Sequence, residues 1–168
     1  VSSAIRQLYN DVVWGDLDYL IIDLPPGTGD IQLSLSQYLN ISGAVIVSTP
    51  QEISLIDVRK AISMFDKVKI PILGLIQNMS YLDINGNKEY IFGKDGVKNE
   101  AVNLKQPFLG DIPLISEIAS LSDKGAPSVL NEKTQATDFY KRIAKNLLDN
   151  KDRTVSYTHL RAHETSGY

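Results

Sequence analysis

Apolar residues in this chain fall into two alternating patterns. Three short runs, residues 19–22 (YLII), 43–48 (GAVIVS) and 70–77 (IPILGLIQ), are rich in β-branched residues and end in polar or turn residues. None alternates polar with apolar as a half-exposed strand would. Continuous runs of this length predict strands buried on both faces, as in a parallel sheet. A weaker fourth run is residues 107–112 (PFLGDI).

Between them the apolar spacing changes to threes and fours. Ile31, Leu35, Tyr38 and Leu39 share one side of a predicted helix over 31–39, with Asp30 as its N-cap. Leu55, Val58, Ile62 and Phe65 mark a helix over 52–65, and Val97, Ala101 and Leu104 mark a polar one over 94–104. A short helix is expected over 114–121. Another is expected over 134–148, where Phe139, Ile143 and Leu147 recur. Strands alternating with helices imply βαβ crossovers. The expected fold class is therefore α/β: a mostly parallel sheet with helices on both faces. Residues 83–88 (DINGNK) form the clearest loop, and Asn85-Gly86 is a hairpin-turn signal.

Composition narrows the chemistry. With 168 residues, 43% hydrophobic and 22% charged, the chain is of ordinary globular make-up and near the size of one domain. It has no cysteine, which removes disulfides, cysteine nucleophiles and thiolate ligands from its own chemistry. A formal charge of -3 gives no basic footprint for nucleic acid. No apolar run nears the roughly 20 residues of a membrane span, and no signal peptide is evident. A cytoplasmic location without nucleic-acid or membrane partners is expected.

The most informative stretch is residues 18–30, DYLIIDLPPGTGD. A strand ending in Asp23 puts a carboxylate at the carboxyl edge of the sheet, where open α/β folds bind ligands. In P-loop NTPases such an Asp helps to hold magnesium. Many buried strands end in Asp, so the bare pattern is weak. Here Pro25-Pro26 stiffens the exit, and Gly27 and Gly29 allow backbone amides to approach a phosphate closely. Asn78, ending the third run, has a carboxamide that both donates and accepts, as an adenine edge requires. An Asn that merely terminates a strand is the commoner reading. The phosphate cradle G-x-x-x-x-G-K-[ST] is absent. The chain thus holds half of a nucleotide site: either the nucleotide reading fails, or the other half is expected upstream of Val1.

These segments together are more specific than any one motif. DYLIIDLPPGTGDIQLSLSQ, GAVIVSTPQEISLIDVRKAISMF, PILGLIQNMSY, IFGKDG and PFLGDIPLISEI, in this order, resemble the Mrp subgroup of MinD/ParA-like deviant P-loop ATPases. These are the bacterial iron–sulfur cluster carriers. The resemblance implies ATP and magnesium as cofactors, an iron–sulfur cluster as cargo, a homodimer, and scaffold or recipient proteins as partners. It implies that Asp23 is the catalytic carboxylate that holds magnesium through water. Gly27, Thr28 and Gly29 would form the switch loop near the γ-phosphate. Asn78 would contact adenine, and the loop around Pro113 would complete the base pocket. The helix over 52–65 resembles one that flanks the dimer interface. A dimerising regulatory switch without a cluster is the alternative. Against a membrane-bound switch, residues 134–150 mix Lys141, Arg142 and Lys145 with Asp138 and Asp149.

The chain departs from that pattern in three places. The family's Walker A loop is missing, and the first residue is Val1, so residues 1–153 are expected to be the C-terminal portion of one ATPase domain. Where many members carry C-x-x-C, this chain reads LDINGNKEY, offering Asp83, Asn85, Asn87 and Glu89, hard oxygen donors poorly matched to a cluster. A solvated polar loop is the reading favoured there. A helix stop is expected at residues 150–152. Residues 154–168 lack apolar periodicity and resemble a translated sequencing adapter, so a non-native tail is expected, with His159 and His163 outside any metal site. Without its cradle the chain alone is expected to bind ATP negligibly; calorimetry that finds micromolar binding would contradict this.

Overall fold

The structure, a computed structural model, describes residues 7, 9–24, 39–131 and 134–164, with side chains as far as Asn150. Along the chain the elements are β1 (Ala44–Ser48), α1 (Glu52–Lys67), β2 (Ile72–Gln77), β3 (Leu82–Ile84), β4 (Asn87–Glu89), α2 (Gly96–Asn103), β5 (Phe108–Asp111), α3 (Ser116–Ser122), a 3-10 turn (Ser128–Leu130) and α4 (Gln135–Glu164).

β2 is the middle strand of the sheet, in the order β1-β2-β5, and both of its neighbours run parallel to it. Side chains of a strand alternate between faces, and the core divides accordingly. Ile46, Leu75 and the partly buried Phe108 pack with Leu55, Val58, Ile62 and Phe65 of α1 and with Val97 and Ala101 of α2. Their neighbours Val45, Ile76 and Leu109 pack on the opposite side with Ile112, Ile118 and with Tyr140, Ile143 and Leu147 of α4. Helices therefore cover both faces, as the uninterrupted apolar runs require.

Two local signals read in the sequence take the expected form. Asn85 (φ 55) and Gly86 (φ 84) both have positive φ, as the type I′ turn of a two-residue hairpin demands, and they join β3 to β4. Asp83 Oδ1 accepts the Gly86 N–H at 2.8 Å and closes the turn. Gly96 opens α2 directly against the loop after β1, where a Cβ would run into the Pro50 carbonyl. At the head of α4, Thr134 and Thr137 are buried, and the Thr137 hydroxyl donates to the Ser128 carbonyl at 2.9 Å, tying the helix to the 3-10 turn.

Three expectations meet a different outcome or fall outside the described residues. Residues 19–23 form no strand: they belong to no ladder, Ile21 is 88% exposed, and Asp23 lies on exposed coil rather than at a strand end. A strand needs a second stretch of backbone in ladder register to satisfy its N–H and C=O groups, and none of the described strands pairs with this segment. Nor does α4 stop at 150–152; it continues to Glu164. Residues 135–164 contain neither Gly nor Pro. Asn and Asp each cost at most about 0.7 kcal/mol relative to Ala inside a helix, too little to end one. The predicted helix over 31–39 lies outside the described residues except for Leu39, which is buried.

Leu75 is fully buried at the centre of the sheet. Leu75→Ala is expected to lower stability by about 2–5 kcal/mol, the usual cost of emptying such a site. Urea denaturation measures it; a loss below about 1 kcal/mol would show that this core collapses around the gap.

Candidate functional site

The carboxyl ends of β1, β2 and β5 lie side by side, because all three strands run in the same direction. Their ladders continue past the strands themselves. Asn78 N–H donates to the Ser48 carbonyl at 2.7 Å, Ile112 N–H to Gln77 at 2.8 Å, and Ser80 N–H to Ile112 at 3.0 Å. Leu114 N–H then donates to the Tyr81 carbonyl at 2.8 Å. This pairing brings Asn78 and Pro113 onto adjacent stretches of backbone at one edge, with Pro113 buried.

Asn78 serves both the structural and the recognition reading. Its Oδ1 accepts the N–H of Met79 at 2.9 Å, which holds Met79 in the left-handed region (φ 53) and turns the chain out of β2. Its amide nitrogen has no partner among the described residues and remains a donor at the edge. Gln51, just after β1, adds a buried Oε1 that lacks a donor there. Asp23 is exposed, and no hydrogen bond or ion pair ties it to this edge among the described residues. Gly27, Thr28 and Gly29 lie outside the described residues. The structure therefore places Asn78 and Pro113 on neighbouring backbone at this edge, and among the described residues Asp23 is not joined to them.

The helices beside this edge are clamped together by charge. Arg59 of α1 donates from Nε to Glu100 Oε1 at 2.7 Å and from Nη2 to Oε2 at 2.9 Å, a two-pronged contact with α2. Its Nη1 reaches Glu52 at 2.7 Å. Glu100 is only 6% exposed, so the guanidinium supplies what water no longer can. Hydrogen bonds from Arg59 hold the Glu100 carboxyl below its ordinary value of 4.5, against the opposing effect of burial. The hydrogen bonds that Arg59 donates to Glu100, and then to Glu52, raise its own pKa in return.

Metal-binding capacity is slight. Among the described residues no group of three or more His, Cys, Asp or Glu could hold a metal ion. The β3–β4 hairpin offers exposed Asp83 and Glu89, and Asp83 is engaged in its own turn. These donors do not fit a thiolate-ligated cluster.

With this geometry in hand, similarity to known proteins becomes specific. The family model for ParA, described as NUBPL iron-transfer P-loop NTPase, matches residues 1–148. The chain belongs to this family. It is 52% identical over 134 residues to mouse "Iron-sulfur cluster transfer protein NUBPL", covering 79% of this chain and 42% of that protein. It is 48% identical over 152 residues to the "Iron-sulfur cluster carrier protein" of Methanocaldococcus jannaschii, covering 89% of this chain and 52% of the relative. The chain thus spans about half, or less, of the length of these relatives. Among solved structures, the ADP-bound nucleotide-binding protein of Archaeoglobus fulgidus superposes with a TM-score of 0.71 at 40% identity, over 82% of this chain and 57% of that one. MinD from Aquifex aeolicus gives 0.63 at 22% identity, covering 88% and 59%, and shares the fold. The NUBPL-like carriers are thus nearer in sequence than the cell-division ATPase.

Sequence reasoning overlooked the other side of this edge. Gln77 and Ser80 are each 2% exposed. Gln77 Oε1 accepts the Val97 N–H at 3.0 Å, and the Ser80 hydroxyl donates to Asp111 at 3.1 Å. A glutamine inside an otherwise apolar strand was the available signal, since a buried carboxamide must find partners.

The Arg59–Glu100 contact has a pH signature. A depressed folded-state pKa adds stability above the unfolded value, which is lost as pH falls through the folded one. Wild-type stability is expected to fall below pH 4.5. Glu100→Gln should be less stable at pH 7 and flatter on the acid side. Urea midpoints between pH 7 and pH 3 test this; parallel curves for the two proteins would remove Glu100 from the acid limb.

Proposed function

We propose that this chain supplies the base-recognition and switch half of an ATP-dependent iron–sulfur cluster carrier. One observation carries the reading: Asn78 and Pro113 stand together at the carboxyl edge of a parallel sheet, in a chain that belongs to the NUBPL-like family. The Asn78 amide donor would meet an acceptor on the adenine ring, and backbone groups around Pro113 would line the pocket. Asp23 would hold magnesium through water, and the ion would offset phosphate charge. Gly27, Thr28 and Gly29 would form the loop that senses the γ-phosphate. A cradle from a preceding segment would complete the phosphate site, and ATP would favour a homodimer.

Exposed apolar residues support an interface beside α1: Ile53 is 73% exposed, Ile56 39% and Val47 57%. Cluster cargo would not be ligated by thiolates of this chain, which has none. Its part would be the nucleotide-driven change of shape that a recipient or scaffold protein reads. The relatives' names support a carrier over a regulatory switch, because identity to carriers is about twice that to MinD. A cytoplasmic location is proposed with it; no helix among the described residues is long and apolar enough to cross a membrane.

The test is a chimera in which the segment preceding the matched region of the Methanocaldococcus jannaschii carrier is fused ahead of Val1. It is expected to bind ATP where the chain alone does not. Asn78→Ala should weaken that binding roughly fivefold, one hydrogen bond's contribution. Asp23→Asn should retain binding and lose magnesium-dependent hydrolysis. A folded chimera that binds no nucleotide overturns the reading.

A further inference from the structure

We propose that the cleft between the β3–β4 hairpin and the first turn of α2 is a binding site for a small oxyanion, a carboxylate or phosphate group. The cleft encloses about 150 Å³. That suits a small anion with water, and is well below the roughly 300–1,000 Å³ of pockets for drug-sized molecules. It is separate from the proposed base site. Gln77 and Asn78 are consecutive in extended backbone, so their side chains leave on opposite sides of the sheet. The Gln77 side chain is on the α2 side, where it accepts the Val97 N–H.

The polar groups around the cleft divide into those already satisfied and those left open. Asp111 receives the Ser80 hydroxyl at 3.1 Å. Lys88 sits over the Tyr81 ring, 4.0 Å from its centroid, and Tyr90 meets Tyr81 edge-on at 6.3 Å, so the hairpin wall is braced by aromatic contacts. Gln77, 2% exposed, uses only its Oε1; its amide nitrogen has no partner among the described residues and lines the cleft as a donor. Lys98 also lines the cleft, and no ion pair joins it to Asp95 on the rim or to any other described residue.

A buried carboxamide donor and an unpaired ammonium around one small space are complementary to an oxyanion. Such a group would take charge-assisted hydrogen bonds from Lys98 and a neutral one from Gln77. The two lining carboxylates, Asp95 on the rim and Asp111 with Oδ2 on the Ser80 hydroxyl, are matched in number by Lys88 and Lys98, and among the described residues no group of three or more His, Cys, Asp or Glu could hold a metal cation. Lys88 lies close enough to add positive potential without leaving the Tyr81 ring.

The test is a 1H–15N NMR titration of the chain with sodium acetate and, separately, with inorganic phosphate at constant ionic strength. Saturable shifts are expected at the Gln77 side-chain amide and the Lys98 backbone amide in at least one arm. The arm that saturates names the ligand as carboxylate or phosphate. Lys98→Gln should weaken that binding about tenfold. Lys60→Gln, which alters a surface lysine paired with Asp57, should leave it unchanged. Shifts that do not saturate in either arm, or that respond equally to the two substitutions, overturn the proposal.

Discussion

Everything in this molecule that bears on function hangs on the two-sided ladder of β2. A strand in the middle of a parallel sheet must satisfy its backbone on both edges and bury side chains on both faces. β2 does so with β1 on one side and β5 on the other, and Leu75 and Ile76 face opposite cores. Because the pairing runs on beyond the strand ends, Asn78 and Pro113 are carried on adjacent backbone stretches by bonds of their neighbours Gln77, Ser80 and Ile112.

The same ladder sorts chemistry by parity. Asn78 and Gln77 are neighbours in sequence and serve different sides: one carries the proposed base contact, the other the floor of the cleft under the hairpin. The Arg59–Glu100 contact then ties the helix that walls the cleft to the helix on whose outer side Ile53 and Ile56 are exposed. A shift of α1 at an interface would be felt by α2 through that contact. The hairpin in this chain is braced by an Asn-Gly turn and by the edge-on contact of Tyr81 with Tyr90, and carries no cysteine.

Much of the fold was legible because it rests on pattern. Runs such as AVIVS and ILGLIQ have one stable solution, burial on both faces, and the apolar spacing in α1 leaves little choice of inward side. Asn85-Gly86 named its own turn, since few other pairs take positive φ twice without strain. The segment over 19–23 shows the limit of that reasoning. Its composition is that of a buried strand, yet a strand is a relation between two stretches of backbone, and none of the described strands forms a ladder with it. The end of α4 failed for the opposite reason: Asn150 and Asp152 are only weak interruptions, and no Gly or Pro follows to enforce a stop before Glu164.

By itself, the sequence determined the fold class, the parallel direction of the strands, the family, and the identity of Asn78 and Pro113 as edge residues. These follow from local periodicity and from motifs, which are properties of neighbouring positions. The tertiary structure alone decided that Asn78 and Pro113 lie on adjacent backbone stretches, and that Arg59 grips Glu100, 41 positions further along the chain. It also decided that Gln77 and Lys98 face one small cleft. Each of these depends on backbone pairing or helix packing between distant segments, and no periodicity within a segment encodes which distant partner will lie beside it.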